Sequence, residues 1–171
     1  MDPLGLDVRK KIYDCIAGSP GIHFREIQRQ TGVAIGSLDY HLHFLHKHGL
    51  IRTEQDAKKR YYPLTQNWSE EEKRVLALLR QRTIRHILVF LLRANKAPPS
   101  DMARSLDMSA STLSWYLKNL TEQNVVAYTK TGRFRTYRIV DPKTIVKYLI
   151  VHRASFFDEL VDNFIDTWSG K

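Results

Sequence analysis

The sequence lacks the features that mark several large classes of protein. One cysteine among 171 residues excludes an internal disulfide and a metal site built from several thiolates. No apolar run reaches the roughly 18 residues that a membrane-spanning helix needs. The first residues, MDPLGLDVRKK, contain no apolar segment typical of a signal peptide. These absences predict a cytoplasmic protein without a membrane partner.

Sequence motifs of enzymes are absent as well. The chain contains no Gly-rich phosphate loop, no nucleophile elbow and no patterned pair of carboxylates. We therefore expect a protein that is not an enzyme and that binds no cofactor.

Histidine, in contrast, is concentrated in one short stretch, GSLDYHLHFLHKHGLI, where four of them fall within eight positions. Only His43 and His46 have the spacing of a metal-binding pair on a helix, and we find no further ligands near them in the sequence to complete a tetrahedral shell. We expect no metal here. His41 flanks an apolar stripe and is interpreted as a structural residue, whereas His43 lies on the opposite face.

Positive charge dominates the chain, with 27 Lys and Arg against 18 Asp and Glu and a formal net charge of +9. Residues 1–65 carry +3, residues 66–140 carry +7 and residues 141–171 carry −1. This balance favours a polyanionic partner for the first two thirds of the chain. The acidic tail from Asp158 to Asp166 is not expected to contact phosphate.

The chain contains an internal repeat with an offset of 75 residues, because residues 9–64 align without a gap on residues 84–139. The matched apolar pairs include Ile12 with Ile87, Leu38 with Leu113, Leu42 with Leu117, Leu45 with Leu120 and Tyr62 with Tyr137. Each copy reads as an apolar helix, a break, a short helix, a tight turn, a helix with a leucine stripe and two β-rich runs. That order predicts a winged helix-turn-helix.

We therefore predict an α+β fold that is mainly α with small β-wings. Its parts are a first winged-helix domain over residues 1–65, a linker helix over 66–82, a second winged-helix domain over 83–140 and a C-terminal helical segment over 141–171. The linker begins with a capping box, Ser69 to Glu72, and is expected to remain helical at least to Gln81.

The stretch TGVAIGSLDYHLHFLHKHGLI resembles the helix-turn-helix core of archaeal transcription regulators of the ArsR-like winged-helix superfamily. Members commonly read Leu-x-x-His-Leu-x-x-Leu followed by Gly-Leu-Ile. The matching residues are Leu38, His41, Leu42, Leu45, Gly49, Leu50 and Ile51. In the second copy Tyr116 replaces the histidine and Asn124 the glycine. The resemblance implies two DNA-binding winged helices and leaves the target open.

Candidate DNA contacts come from the exposed helix faces, the preceding helices and the wing tips, where hydroxyls and cations suit base edges and phosphates. In the first copy they are Arg25, Arg29, Gly36, Ser37, Tyr40, His43, Lys47, Lys58, Lys59 and Arg60, offset at the wing by Glu54 and Asp56. In the second copy they are Arg104, Ser111, Thr112, Ser114, Trp115, Lys118, Lys130, Arg133, Arg135 and Arg138.

Each of these residues also has a simpler interpretation. Any one cation is compatible with an ordinary solvated surface charge, and Tyr40 and Trp115 with packing against a neighbouring helix or a partner. If only one copy binds DNA, the second is favoured, because its reading helix contains no acid from Ser109 to Leu120.

The C-terminal segment begins with Asp141 as a helix cap and Pro142 in the first turn. It carries two apolar stripes where a surface helix needs one, and a second capping box is predicted at Ser155 and Asp158. The extra apolar surface requires cover from the linker helix or from a second chain, which leaves internal packing and a homodimer as alternatives.

Two functions from different classes follow. The first is a transcription regulator that binds double-stranded DNA sequence-specifically through both winged helices. The second is a protein-interaction scaffold built from tandem winged helices, which the basic wings make less favourable. The sequence shows no aromatic stacking platform of the usual kinds that would support RNA binding.

Overall fold

The structure, a computed structural model, describes residues 4–55, 58–65 and 67–169. It divides into two compact units, Met1–Ala77 and Leu78–Lys171. Helices predominate, and the strands form small antiparallel sheets, which confirms the predicted α+β class. In the described part of the chain, no helix combines the length and apolarity needed to cross a bilayer.

The first unit has the element order of a winged helix. Its elements are α1 (Asp7–Gly18), β1 (Ile22–His23), α2 (Phe24–Thr31), α3 (Ile35–Lys47), β2 (Ile51–Gln55), β3 (Lys59–Pro63) and α4 (Glu70–Leu79), which crosses the boundary between the units. The sheet has the order β1-β3-β2 with antiparallel pairing. Helix α1 packs against α2, α3 and β3.

The core of the first unit forms because each helix buries one apolar stripe. Leu38, Leu42 and Leu45 recur at helical spacing on α3 and are buried, together with Ile12 and Ile16 of α1. Each fully buried aliphatic side chain of this size stabilises the fold by about 1.5–3 kcal/mol. This stripe fixes which face of α3 remains in solvent.

The second unit repeats this arrangement and adds a helical tail. Its elements are α5 (Arg82–Ala94), α6 (Pro99–Ser105), α7 (Ala110–Glu122), β4 (Val126–Thr131), β5 (Phe134–Ile139), α8 (Pro142–Val151), α9 (Arg153–Phe156) and α10 (Glu159–Ser169). Helix α7 begins and ends 75 residues after α3, which confirms the predicted repeat. At the position that corresponds to β1, the second unit has an isolated bridge between Ala97 and Tyr137. Strand β1 of the first unit was not predicted from the sequence.

The linker prediction is confirmed at its start and corrected at its end. Ser69 and Glu72 form the reciprocal capping box, with the Ser69 N–H donating to Oε2 of Glu72 at 2.9 Å and the Glu72 N–H donating to Oγ of Ser69 at 3.1 Å. Helix α4 ends at Leu79, short of Gln81. The chain turns after Leu79, and the next helix, α5, begins at Arg82. Nη1 of Arg85 donates to the Leu79 carbonyl at 2.8 Å.

The tail is covered mainly within its own unit. Asp141 caps α8 through the Thr144 N–H, as predicted. Helix α10 packs against α5 and α8, and much of the predicted apolar surface is buried, including Ile145, Leu149, Phe156, Val161, Phe164 and Ile165. Helix α5 supplies this cover, and that packing was not predicted from the sequence. Ile150, Val151, Phe157 and Trp168 stay exposed, so a homodimer through this segment remains a prediction.

The predicted second capping box is wrong, because both of its residues are engaged elsewhere. The Ser155 hydroxyl donates to the His152 carbonyl at 2.7 Å. The Asp158 carboxylate is buried and accepts Nε of Arg85 at 2.9 Å, while Nε2 of His86 lies 3.0 Å from its other oxygen. This buried ion pair joins the start of α5 to the start of α10.

Replacement of Asp158 by asparagine should destabilise the second unit by about 3–5 kcal/mol, because it leaves the buried Arg85 guanidinium without its counter-charge. Urea unfolding measures the loss. The matched control is Asp166→Asn, which removes an exposed ion pair with Arg153 and should cost less than about 1 kcal/mol. Equal effects of the two substitutions would contradict a special role for the buried pair.

The same pair should make the second unit sensitive to acid. Burial alone raises the pKa of Asp158, but the hydrogen bonds and positive charges of His86 and Arg85 outweigh it and hold the pKa below its ordinary value. The stabilisation is therefore complete above about pH 3.9, the ordinary carboxyl pKa, and is lost as the pH falls through the lower folded-state pKa. Asp158→Asn should remove this part of the acid unfolding profile.

Candidate nucleic-acid interface

The predicted contact residues of α3 and α7 lie on the face opposite the leucine stripe of each helix. On α3, Gly36, Ser37, Tyr40, His43 and Lys47 are exposed; on α7, Ser111, Thr112, Ser114, Trp115 and Lys118 are exposed. Since the leucines are buried, each helix presents a continuous polar and aromatic strip to solvent. Lys118 also lies 3.8 Å from Glu122.

Tyr40 and Trp115 occupy matching positions in the two copies, and both are 60% exposed. Their ring contacts are edge contacts with the next residue, at 5.2 Å between the centroids of Tyr40 and His41 and 4.9 Å between those of Trp115 and Tyr116. Neither ring is covered by a neighbouring helix of its unit, so both remain available to an external partner.

His41 has the structural role that the sequence predicted. Its ring is buried, and Nδ1 accepts a hydrogen bond from Nε of Arg9 at 3.4 Å. Burial, and then the positive charge of Arg9, lower the pKa of His41, so the ring is neutral and able to accept. The Arg9 guanidinium also lies 3.6 Å from the centroid of the Phe44 ring. This cluster anchors α3 to α1.

A pocket of about 380 Å³ lies between α3 and the first wing. It is lined by Asp39, Leu42, His43, His46, Thr53, Lys59 and Tyr61. Asp39 was missed when the sequence was searched for acids near the two histidines, although its place four residues before His43 was a visible signal. Burial, and then the charge of Asp39, raise the pKa of Tyr61. Within the described residues, no three His, Cys, Asp or Glu side chains group as a metal site requires.

The first wing contains an acid as well as cations, which lowers its net charge. Glu54 lies opposite Arg60 in the strand register and forms an ion pair with Lys73 at 2.6 Å. Arg60 is half-buried, and its Nη1 donates to the Gly21 carbonyl at 3.3 Å. Lys58 and Lys59 are exposed, and Asp56 lies outside the described residues. Among the predicted DNA contacts of this wing, Arg60 therefore has its side chain engaged within its own unit.

The second wing has no such compensation. Lys130, Arg133, Arg135 and Arg138 are all exposed, and the sequence contains no acid between Thr129 and Arg138. Lys130 lies directly opposite Arg135 in the ladder, and like charges in that arrangement destabilise a hairpin. A polyanion placed against this wing would relieve the repulsion.

The cations of the shorter helices are exposed at the surface of each unit. Arg25 and Arg104 are exposed, as is Arg29, whose Nη2 forms an ion pair with Glu26 at 2.7 Å. An exposed pair of this kind is weak, so Arg29 can exchange its partner at little cost.

The two reading helices begin differently. Ser109 caps α7, its hydroxyl accepting the Thr112 N–H at 3.1 Å and lying 3.0 Å from the Ser111 hydroxyl. Ala34 stands at the corresponding N-cap of α3, with nearly the same backbone angles and no side-chain cap. The start of α7 therefore carries a cluster of hydroxyls that α3 lacks.

Comparison with known proteins gives matches in both units. Residues 6–76 match a family model described as an N-terminal HTH domain, and residues 80–127 match one described as winged helix-turn-helix DNA-binding. Over 134 residues, 78% of this chain, the sequence is 28% identical to an uncharacterized HTH-type transcriptional regulator of Methanocaldococcus jannaschii. The chain spans 33% of the length of that relative.

A solved structure is also similar in part. The crystal structure of the AntR antimony-specific transcriptional repressor matches 60% of this chain and 87% of its own, with 22% sequence identity and a TM-score of 0.42.

The difference in capping should be measurable by exchanging the two N-cap residues. Ser109→Ala should destabilise the second unit by about 1 kcal/mol, because the Thr112 N–H loses its acceptor, and Ala34→Ser should stabilise the first unit by up to a similar amount. Thermal or urea unfolding of both variants tests this. Destabilisation by Ala34→Ser would contradict the expectation that a serine at this N-cap forms the hydrogen bond that Ser109 forms in α7.

Proposed function

Because the chain carries two consecutive winged helix-turn-helix domains, we propose that it is a transcription regulator that binds double-stranded DNA sequence-specifically. The observation that carries this proposal is the second wing, where four cations are exposed and the sequence from Thr129 to Arg138 contains no acid. A surface with that charge is suited to phosphate. The exposed strip of α7 supplies the groups that would read bases.

In this proposal α7 enters the major groove with its first turn toward the bases. Ser111, Thr112 and Ser114 offer short hydroxyls that donate to or accept from base edges and phosphates. Trp115 adds an exposed ring one turn further along, which can contact a thymine methyl group or a sugar. The helix N-terminus also favours a nearby phosphate through its dipole.

The second wing would lie on the adjacent backbone, with Lys130 and Arg135 on phosphates. Their mutual repulsion across the ladder makes this wing better suited to a polyanion than to bare solvent. The first unit would contribute less charge, because residues 1–65 carry a net charge of +3, whereas residues 66–140 carry +7. The two copies are therefore proposed to act unequally, with the second providing most of the electrostatic attraction.

Assembly and place of action are finer parts of the same proposal. A homodimer through the C-terminal segment would bury Ile150, Val151 and Phe157, which are exposed in the single chain. A second copy would also double the number of reading helices, as paired half-sites require. A regulator of this kind would act in the cytoplasm.

The rival function is a protein-interaction scaffold, and salt dependence separates the two. Binding through phosphates weakens steeply as salt rises, whereas a scaffold would show no salt-sensitive affinity for duplexes. The uncompensated second wing favours the regulator.

Neutralising the second wing should weaken duplex binding more than neutralising the first. The pair Lys130→Gln with Arg135→Gln should lower the slope of log affinity against log salt by about 2, since each lost phosphate contact removes roughly 0.9. The matched control is Lys58→Gln with Lys59→Gln. The measurement is fluorescence anisotropy with a labelled duplex at several salt concentrations.

Urea unfolding of both pairs controls for folding, because Arg135→Gln relieves a repulsion between facing like charges but also removes the contact of Arg135 with the Tyr128 ring at 4.7 Å. Equal losses from the two wings would contradict the unequal roles proposed for the two units, and no loss from either would contradict phosphate binding by the wings.

Trp115→Ala should reduce discrimination rather than general affinity. Duplexes recovered by wild-type selection from a random library provide the probe, with an unselected duplex as reference. We expect a loss of about 1–3 kcal/mol on the selected duplex, as for a base contact, and little change on the reference. Tyr40→Ala is the matched substitution in the first unit. An equal loss of affinity for both duplexes would indicate that Trp115 contacts the DNA backbone instead of a base.

A further inference from the structure

Phe134 is the most unusual residue of the second wing. Its side chain is 67% exposed, and it stands at the start of β5. The sequence predicts a four-residue polar tip, TGRF, but the turn consists of Gly132 and Arg133 alone, and Phe134 pairs with Thr131 across it. Gly132, with φ of 61°, allows this two-residue turn. The structure thus places a phenyl ring at the end of the hairpin.

This ring does not help to build the fold. Side chains alternate between the two faces of a hairpin, and the buried residues of β4 and β5, Val126, Tyr137 and Ile139, lie at the end far from the turn. The part of the hairpin near the turn is exposed on both faces. A phenyl ring there leaves its apolar surface in water without a contribution to the core.

The residues next to Phe134 in the hairpin are cationic. The Arg133 guanidinium lies 5.4 Å from the centroid of the Phe134 ring. One step down the ladder, Lys130 faces Arg135. The Arg135 guanidinium lies 4.7 Å from the centroid of Tyr128, whose ring contacts Tyr137 at 5.4 Å. Tyr128 therefore holds one of the cations in place. Because successive side chains alternate between the two faces, Lys130 and Arg135 lie on the face opposite Phe134, and the apolar ring stands at the tip of a hairpin that carries cations on its other face and in its turn.

We propose that Phe134 is a wedge that enters the minor groove of duplex DNA and inserts between two adjacent base pairs, while the cations of the turn and of the opposite hairpin face bind the flanking phosphates. This inference rests on the proposed function and adds to it a deformation of the DNA. Apolar side chains inserted in this way unstack a base step and bend the duplex toward the major groove.

The first wing has no equivalent residue. Lys59 occupies the position that corresponds to Phe134 in the repeat, and it lines the pocket beside α3. Each chain therefore carries one wedge, and it bends DNA at one step. Pyrimidine–purine steps unstack most easily, so the chain prefers such a step at the second wing, away from the bases that α7 reads.

The variants Phe134→Ala and Phe134→Leu test the wedge in the full-length chain. The matched control is Leu64→Ala, since Leu64 is an exposed apolar side chain (45%) that follows β3 and lies outside α7, the second wing and the C-terminal segment. The probe is a set of duplexes, each with one 2-aminopurine at a different TA step and a fluorophore pair at the ends. Unstacking raises 2-aminopurine emission, and bending raises energy transfer between the ends.

We expect the wild type to raise both signals, Phe134→Ala to abolish both, Phe134→Leu to retain part of each, and Leu64→Ala to match the wild type. Duplex affinity should fall by less than about tenfold in Phe134→Ala, because the cost of unstacking the base step offsets most of the stabilisation that burial of the ring provides. Loss of bending with nearly retained affinity is an outcome that a merely structural role would not produce.

The outcomes separate this inference from the function on which it rests. If the wild type binds the duplex and leaves both signals unchanged, or if Phe134→Ala retains them, the wedge is overturned and DNA binding stands. If the wild type binds no duplex, the proposed function fails first. Tighter binding to single-stranded DNA or RNA, dependent on Phe134 and Tyr128, would instead identify a stacking platform and overturn the wedge.

Discussion

The third helix of each winged unit can bury only one of its faces, and the rest of the molecule depends on that constraint. The leucines of α3 and α7 are buried at identical spacing, so the opposite strip must remain in solvent. Tyr40 and Trp115 stand at the same place on that strip and are equally exposed. A duplicated core therefore produces two exposed helix faces whose orientation within each unit is set by apolar packing.

Duplication has kept the fold and changed the charge. In the first unit, acids stand among the cations, with Glu54 opposite Arg60 in the ladder and Asp39 lining the same pocket as Lys59. In the second unit, two cations face each other across the ladder, and the hairpin ends in a phenyl ring. Since like charges across a ladder cost stability, the second wing is better adapted to a polyanionic partner than to folding alone.

The core, the repeat and the helix caps could be predicted because they depend on local spacing. Leucines at helical intervals and the Ser69–Glu72 box need only a few consecutive residues. The features that were missed depend on distant contacts. Strand β1 exists because Ile22 pairs with Tyr61, and Asp158 is drawn from its predicted cap by Arg85, 73 residues away. The repeat shows in sequence that Phe134 stands where the first copy has Lys59. The exposure of the Phe134 ring could be inferred only from the register of the hairpin.

The central claim, that α7 and the second wing form the main nucleic-acid surface, is tested most directly by hydrogen–deuterium exchange of the full chain with and without a duplex. We predict the strongest protection at the start of α7 and around the Gly132–Arg133 turn, weaker protection on α3 and near Lys58, and none on α8 to α10. Protection confined to the C-terminal helices, or absent at saturating duplex and low salt, would contradict the claim.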